Sequence, residues 1–359
     1  MAELQEAHAF SRPPVLFHAH GLGEHDFSAM TGEQLAGVEA AAAERGVCVV
    51  PTVFLRREWL PELESVITRY AAEREQLPHI LGFAMEGPLL GPQGGTPRLA
   101  SWHPTQEEWA TIARLGRLGL RYVVLAPDAL ELDDRLMVSG LRLRDLVRDL
   151  YANGVKIALG HFLHDAPELS AARVGRLLDF VHEIAGEEQC NVLTDHLFND
   201  MPRSFRHVWR GEPAERRDRE AAEFLRSPWE PDTLPELLGP VPAALLKAAR
   251  EGLLMPCMNF DGQHVDLAIC RRTVDYLGAE NLIAISDHIE LTNMAGESLT
   301  RMAGTTLWLR DDGVVAAGST GMDKQIQNMR SIGLSDEELE ALLCDNPRRA
   351  LASHAHVDA

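Results

Sequence analysis

Hydrophobic residues recur along the chain as eight short runs rich in β-branched side chains: Val15–Phe17, Val47–Val53, Ile80–Met85, Tyr122–Leu125, Val155–Leu159, Asn191–Thr194, Leu254–Met258 and Leu282–Ser286. Between them the spacing of apolar positions changes to that of amphipathic helices, over Gly32–Arg45, Trp59–Arg74, Gln106–Leu118, Leu141–Ala152, Ala171–Ile184, Leu234–Arg250 and Val265–Tyr276. A strand that is apolar on both faces needs cover on both, which a parallel sheet flanked by helices supplies. Eight strand–helix units predict an α/β fold, a (β/α)8 TIM-type barrel, as a single domain over residues 1–359. Gly46, Gly119, Gly154 and Gly252 stand at the helix-to-strand joints, where a residue with positive φ closes a helix.

Two stretches break the rhythm. Met201–Pro231 carries seven arginines and is too long for a minimal loop. Gly296–Thr320 follows the eighth strand, and its Asp312-Gly313 between apolar runs predicts a hairpin. The tail from Ser335 to Leu351 predicts two closing helices, the second opened by Pro347.

The chemistry lies at the C-terminal ends of the strands, where barrels of this kind build their sites. Strand one ends in His18-Ala19-His20, and alternation along an extended strand sends both imidazoles to one side. Strand three ends in Glu86-Gly87-Pro88, strand five in Gly160-His161, strand six in Thr194-Asp195-His196 and strand eight in Ser286-Asp287-His288. Imidazole and carboxylate are the donors that Zn²⁺, Fe²⁺ and similar ions accept, and burying so many of them without an ion would leave costly unpaired groups. The candidate ligands are therefore His18, His20, Glu86, His161, His196 and Asp287. Asp287 is also the candidate proton shuttle for hydrolysis. Asp195 and His288 flank the ligands as residues that orient them.

Composition narrows the partners. Lys+Arg number 34 against 54 Asp+Glu, a formal charge of −20, which argues against nucleic acid or an anionic membrane as partner. No apolar run reaches the length of a membrane span, and the start MAELQEAHAF has no signal-peptide pattern. The five cysteines are scattered, without a Cys-x-x-Cys, so a disulfide framework or thiolate zinc site is not expected and a reduced, cytoplasmic setting is.

At its motifs the chain resembles the amidohydrolase superfamily and, within it, the N-acetylglucosamine-6-phosphate deacetylase family. The resemblance spans nearly the whole barrel. It is carried by His20-Gly21-Leu22-Gly23 with Asp26-Phe27, by Glu86-Gly87-Pro88, Gly160-His161, and His196-Leu197-Phe198-Asn199-Asp200-Met201. It continues through Asp261-Gly262-Gln263-His264-Val265-Asp266, Ser286-Asp287, Gly318-Ser319 and Asn346-Pro347. The resemblance implies that Glu86, His161 and His196 hold the main ion and that Asp287 is the general acid/base. His18 and His20 would complete a second position bridged by Glu86. One or two divalent ions are implied, zinc first, with Fe²⁺ or another as the alternative. His264, Asn199 and Asp200 are implied at the substrate, in a homodimer whose Arg210 reaches the neighbouring subunit's phosphate site.

The departures from the family pattern are specific. Only 14 residues precede the first strand and the chain ends soon after Asn346-Pro347, so the family's accessory β-sandwich is expected to be missing. Asp200 stands where the family has alanine in its phosphate grip, and a carboxylate there would oppose a dianion by about 1 kcal/mol or more. The basic stretch usual after Glu-Gly-Pro is replaced by Gly91-Pro92-Gln93-Gly94-Gly95-Thr96-Pro97, with no cation before Arg98. Ser286-Asp287-His288-Ile289-Glu290 replaces the usual loop after strand eight. The expected activity is metal-dependent removal of an N-acetyl or other small acyl group from an amino sugar or related amine, with an altered phosphate pocket. Hydrolysis of a cyclic amide, deamination, and a non-catalytic sugar-binding role are the alternatives.

Overall fold

The computed structural model describes residues 10–91, 94–163, 165–199, 201, 219, 222–223 and 225–352. All eight predicted strands form: β1 (Val15–Ala19), β2 (Cys48–Val53), β3 (Phe83–Glu86), β4 (Leu120–Leu125), β5 (Lys156–Leu159), β6 (Val192–Thr194), β7 (Cys257–Asn259) and β8 (Ile283–Ile285). The first six make one curled parallel sheet in sequence order, and β7 and β8 make a parallel pair. Backbone hydrogen bonds link the two sheets at both edges. Met255 N–H donates to the Val192 carbonyl at 2.9 Å, and Ser286 and Asp287 N–H donate to the Phe17 and His18 carbonyls at 2.9 Å each.

Alternate residues of each strand feed different cores. Val15, Phe17, Val50, Tyr122, Val124, Ala158 and Leu193 pack together inside the curl, while Leu16, Val49, Val123, Ile157 and Val192 pack outward against the helices. Both faces are buried, which is why the runs read as continuously apolar rather than alternating. The covering helices are α1 (Leu35–Glu44), α2 (Leu60–Glu73), α3 (Gln106–Arg114), α4 (Leu143–Ala152), α5 (Pro167–Ala185), α6 (Leu234–Leu238), α7 (Pro240–Arg250) and α8 (Leu267–Leu277). The stretch expected as one helix over Leu234–Arg250 is two, because Gly239 adopts a positive φ and Pro240 opens a new helix behind it. Most of the arginine-rich stretch after β6 lies outside the described residues.

The predicted hairpin is present, with Leu307–Leu309 antiparallel to Val315–Gly318 around Gly313. The tail is helical over Asp336–Glu340 and Asn346–Leu351, joined by a π-helical turn over Ala341–Asp345 rather than by a break. Asn346 fastens this tail below β8, its amide donating to the Ala279 and Leu282 carbonyls at 2.8 and 2.7 Å. Among the described residues no helix is long and apolar enough to cross a membrane.

Lys156, at the start of β5, is buried and donates to the Ala350 carbonyl at 2.7 Å. Burial pushes its ammonium down to about 8 from 10.5. Between these values the unfolded chain holds a proton that the folded chain has released, so stability contributed at this site rises with pH. Relative to Lys156→Met, the wild type should gain roughly 3 kcal/mol between about pH 8 and 10.5. Urea unfolding of both across that range checks it, and a constant difference would refute it.

Candidate metal centre and active-site cleft

Five strand ends deliver the predicted ligands to one place. Glu86, at the end of β3, is buried at its centre. Its Oε2 lies 2.9 Å from His18 Nε2 and 3.4 Å from His20 Nε2. Its Oε1 is hydrogen-bonded to His161 Nε2 and stands 3.7 Å from His196 Nε2. Asp287, after β8, lies between two imidazoles: Oδ1 is 3.3 Å from His20 Nε2 and Oδ2 is 3.2 Å from His264 Nε2. His18, His20 and Asp287 form one group able to hold an ion, and Glu86, His161, Asp195 and His196 form another.

The backbone is strained where it aims these side chains. His18, His161 and Asp287 have φ of 57°, 52° and 45°, the left-handed region that costs non-glycine residues about 1–3 kcal/mol each. The convergence of His18 and His20 is thus not the plain strand alternation expected from sequence. Strand β1 carries an irregularity between Leu16 and Ala19, where its register against β2 shifts.

Further contacts orient the rings. His20 Nδ1 is 3.1 Å from the Thr52 carbonyl, and the ring stacks on Phe54 with centroids 4.4 Å apart. Tyr122 Oη is 3.4 Å from His18 Nδ1, and Thr96 Oγ1 is 3.3 Å from His161 Nδ1. Asp261 is 2.6 Å from His264 Nδ1 and also accepts the His264 backbone N–H. Tyr122 sits in an apolar strand run and Thr52 acts through its main chain, so neither gives a sequence signal. Asp261 is visible in the motif that precedes His264.

The donor set fits a divalent cation. With Nδ1 of His20 donating to Thr52, a neutral ring would point its Nε2 lone pair at carboxylate oxygens of Glu86 and Asp287. Buried acceptors facing acceptors are costly unless a proton or a cation lies between them. His18 Nε2, His20 Nε2, Glu86 Oε2 and Asp195 Oδ2 are all buried without a hydrogen bond. The electrostatics agree. Burial alone would lower the His196 imidazole, yet the Asp195, Glu86 and Asp287 carboxylates outweigh it and push it up to about 10. His20 and His161 are raised against the same burial, by Asp287 and Glu86 respectively. Burial would raise Glu86 and Asp287, but the surrounding imidazoles hold both below the usual carboxylate range. Imidazole and carboxylate donors suit zinc and iron alike.

A narrow cleft opens onto this cluster, lined by Phe54, Gly95, Thr96, Asn199, Val315 and Ala316 beside Glu86, His161, His196 and Asp287. The Gly94–Pro97 loop lies against the 315–318 strand so closely that a Cβ on Gly95 would stand 1.9 Å from the Val315 carbonyl oxygen. His264 reaches the cluster through Asp287, and Asn199 is on the cleft wall. Asp200 and Arg210 lie outside the described residues.

No family model matches the chain, and no curated protein matches it. Solved structures do. The N-acetylglucosamine-6-phosphate deacetylase of Pasteurella multocida superposes with a TM-score of 0.67 at 16% identity, over 95% of this chain and 76% of that one. A variant of the Mycobacterium smegmatis N-acetyl-D-glucosamine-6-phosphate deacetylase, in complex with N-acetyl-D-glucosamine-6-phosphate, gives 0.64 at 22% identity over 95% and 77%. The Thermotoga maritima N-acetylglucosamine-6-phosphate deacetylase gives 0.62 at 15% identity over 95% and 78%. At these identities the likeness establishes a shared fold.

Against burial, the carboxylates raise His161 and push His196 up to about 10, so ion binding at this site should displace the proton held on His196. Titrating ion-free protein with Zn²⁺ in buffers of different ionisation enthalpy should show release of at least one proton per ion near neutral pH. Heats independent of the buffer would contradict this.

Proposed function

We propose that the chain is a metal-dependent amidohydrolase that removes an N-acetyl or other small acyl group from an amino sugar or related amine. The observation that carries this reading is the convergence of buried imidazole and carboxylate donors from five strand ends onto Glu86, with Asp287 held beside them at the floor of a cleft. In this reading the two parallel sheets are arcs of one closed (β/α)8 barrel in a single domain. The Leu193–Met255 bridge and the bonds from Ser286 and Asp287 to β1 support that closure. Glu86, His161 and His196 would hold the main ion, and His18 and His20, with Glu86 or Asp287, a second.

The ion, when bound, polarises the amide carbonyl and makes an attacking water more acidic. The protein's residues do the rest. Asp287, ionised and fixed between His20 and His264, accepts a proton from the water and returns it to the departing nitrogen, so that water and amide become a carboxylate and an amine. Asp261 holds Nδ1 of His264, leaving its Nε2 to face Asp287. Against burial, Asp261 and Asp287 favour the doubly protonated ring, and in that form His264 can donate from Nε2 toward the oxygen on which charge develops. The wall formed by Phe54, Val315 and Ala316 excludes water from the acyl group.

The cleft supports a substrate without phosphate. Among the described residues that line it there is no lysine or arginine. The two arginines nearest the Gly94–Pro97 loop are engaged elsewhere: Arg98 with Asp311 at 2.5 Å and Asp312 at 3.3 Å, and Arg310 with Asp312 and the Thr96 carbonyl. The same reading keeps the homodimer that the family resemblance implies and the cytoplasmic setting expected from the scattered cysteines, with Arg210 and Asp200 proposed beside the substrate.

Acetate release by the zinc-loaded protein tests the assignment. N-acetylglucosamine or another unphosphorylated N-acetyl amine should be turned over in preference to N-acetylglucosamine 6-phosphate. A strong preference for the phosphate would overturn the pocket reading while sparing the chemistry. Asp287→Asn should lower kcat by roughly 10²–10⁴-fold with bound metal retained. Full activity in that variant would overturn the mechanism, and inactivity of the wild type on every acetyl amide would redirect the search to cyclic amides and deamination.

A further inference from the structure

The sequence places Asp195 beside a ligand, where a carboxylate normally orients an imidazole through the nitrogen that faces away from the ion. The structure puts it on the other side. Asp195 Oδ2 is 3.6 Å from His161 Nε2 and 3.6 Å from His196 Nε2, the same two nitrogens that face Glu86. The far nitrogen of His161 is occupied by Thr96 instead. Donors held 2.0–2.2 Å from a tetrahedral zinc ion stand roughly 3.4 Å apart, so Asp195 is spaced from both imidazoles as a fellow donor would be.

Three further facts agree. Asp195 is only 1% exposed, and its Oδ2 has no hydrogen-bond partner although Oδ1 accepts the His196 backbone N–H at 2.6 Å. An orphaned buried carboxylate oxygen directed at two imidazoles is costly unless a cation completes it. The neighbouring strand makes room for it: a Cβ on Gly160 would stand 1.6 Å from Oδ2, so any side chain at 160 would expel the carboxylate. Glu86 and Asp195 together also bring two negative charges to the site, matching a divalent ion.

We propose that Asp195 is a fourth protein donor to the ion held by Glu86, His161 and His196, closing that position on its β5–β6 side. Water or substrate would then have to enter as a fifth donor, from the side of the cleft, which is lined by Glu86, His161, His196 and Asp287 and not by Asp195. This assignment rests on the metal-site reading above but can fail independently of it.

The test uses the full-length chain, stripped by chelator and reloaded with Zn²⁺ or Co²⁺. Zinc affinity is measured by competition with a chromophoric chelator, and cobalt geometry from its visible absorption bands. Asp195→Ala should weaken zinc binding about a hundredfold or more and change the cobalt spectrum as water replaces the carboxylate. Gly160→Ala should do the same by displacing Asp195. Asp195→Asn keeps the side-chain volume and serves if the alanine variant fails to fold. In ion-free protein, Asp195→Ala should raise Tm or leave it unchanged, while the gain in Tm on loading shrinks. Affinity within threefold of wild type would overturn the proposal. So would an affinity loss with an unaltered cobalt spectrum, which would make Asp195 a positioning residue. A wild-type chain that takes up neither ion would overturn the metal-site reading as well.

Discussion

The buried carboxylate of Glu86 is the constraint around which this structure is arranged. A carboxylate taken out of water with no partner would be protonated or would unfold the chain around it. Here it is met by imidazoles from β1, β5 and β6, which hold it below the usual carboxylate range, while it and its neighbouring carboxylates in turn raise His161 and His196 against burial. The cluster is self-consistent only as a set. Remove Glu86 and at least three histidines lose the charge that justifies their burial. A divalent ion satisfies the same set with fewer protons, and the ion-free and ion-bound states need not differ much in fold.

The sheet makes that set possible by adding strands until their ends face a common point, and by tolerating unfavourable backbone there. His18, His161 and Asp287 all adopt the left-handed conformation, and Phe198, two residues after His196, does so as well. Such strain persists where surrounding packing over-determines the geometry, and the two-sided core of β1 to β6 provides that rigidity. Small residues are needed at the closest approaches. Gly160 lets Asp195 in behind His161, and Gly95 lets the loop after β3 lie on the hairpin. The cleft wall is built from loops and from the hairpin strand Val315–Gly318, an arrangement in which its lining can change without disturbing the buried imidazole and carboxylate cluster.

The legible part of this protein follows from chemistry that is local in sequence. Eight apolar runs appear as eight strands because burial on both faces leaves no other composition for a parallel strand. His18, His20, Glu86, His161, His196 and Asp287 could be named because the ligand-type residues fall at strand ends, and a strand end has a known direction in such a fold. The one-helix expectation for Leu234–Arg250 failed at Gly239 because positive φ there is chosen by packing and by Pro240 rather than announced by spacing. Sequence proximity to His196 makes Asp195 a flanking residue but says nothing about which nitrogen it meets, and the structure sets it 3.6 Å from Nε2.

By itself, then, the sequence determined the strand and helix rhythm, which imidazoles and carboxylates stand at the strand ends, and the absence of basic residues between Glu86 and Arg98. Each of these is set by residue type at a position along the chain. Only the tertiary structure decided which atoms converge. It placed Tyr122 under His18, the Thr52 carbonyl under His20, Asp261 behind His264, and tied Arg98 and Arg310 to the acidic turn of the hairpin. These partners lie up to 214 residues apart. Their meeting depends on strand register, on a bulge in β1 and on the path of loops, quantities fixed by the packing of the whole sheet and carried by no single stretch of sequence.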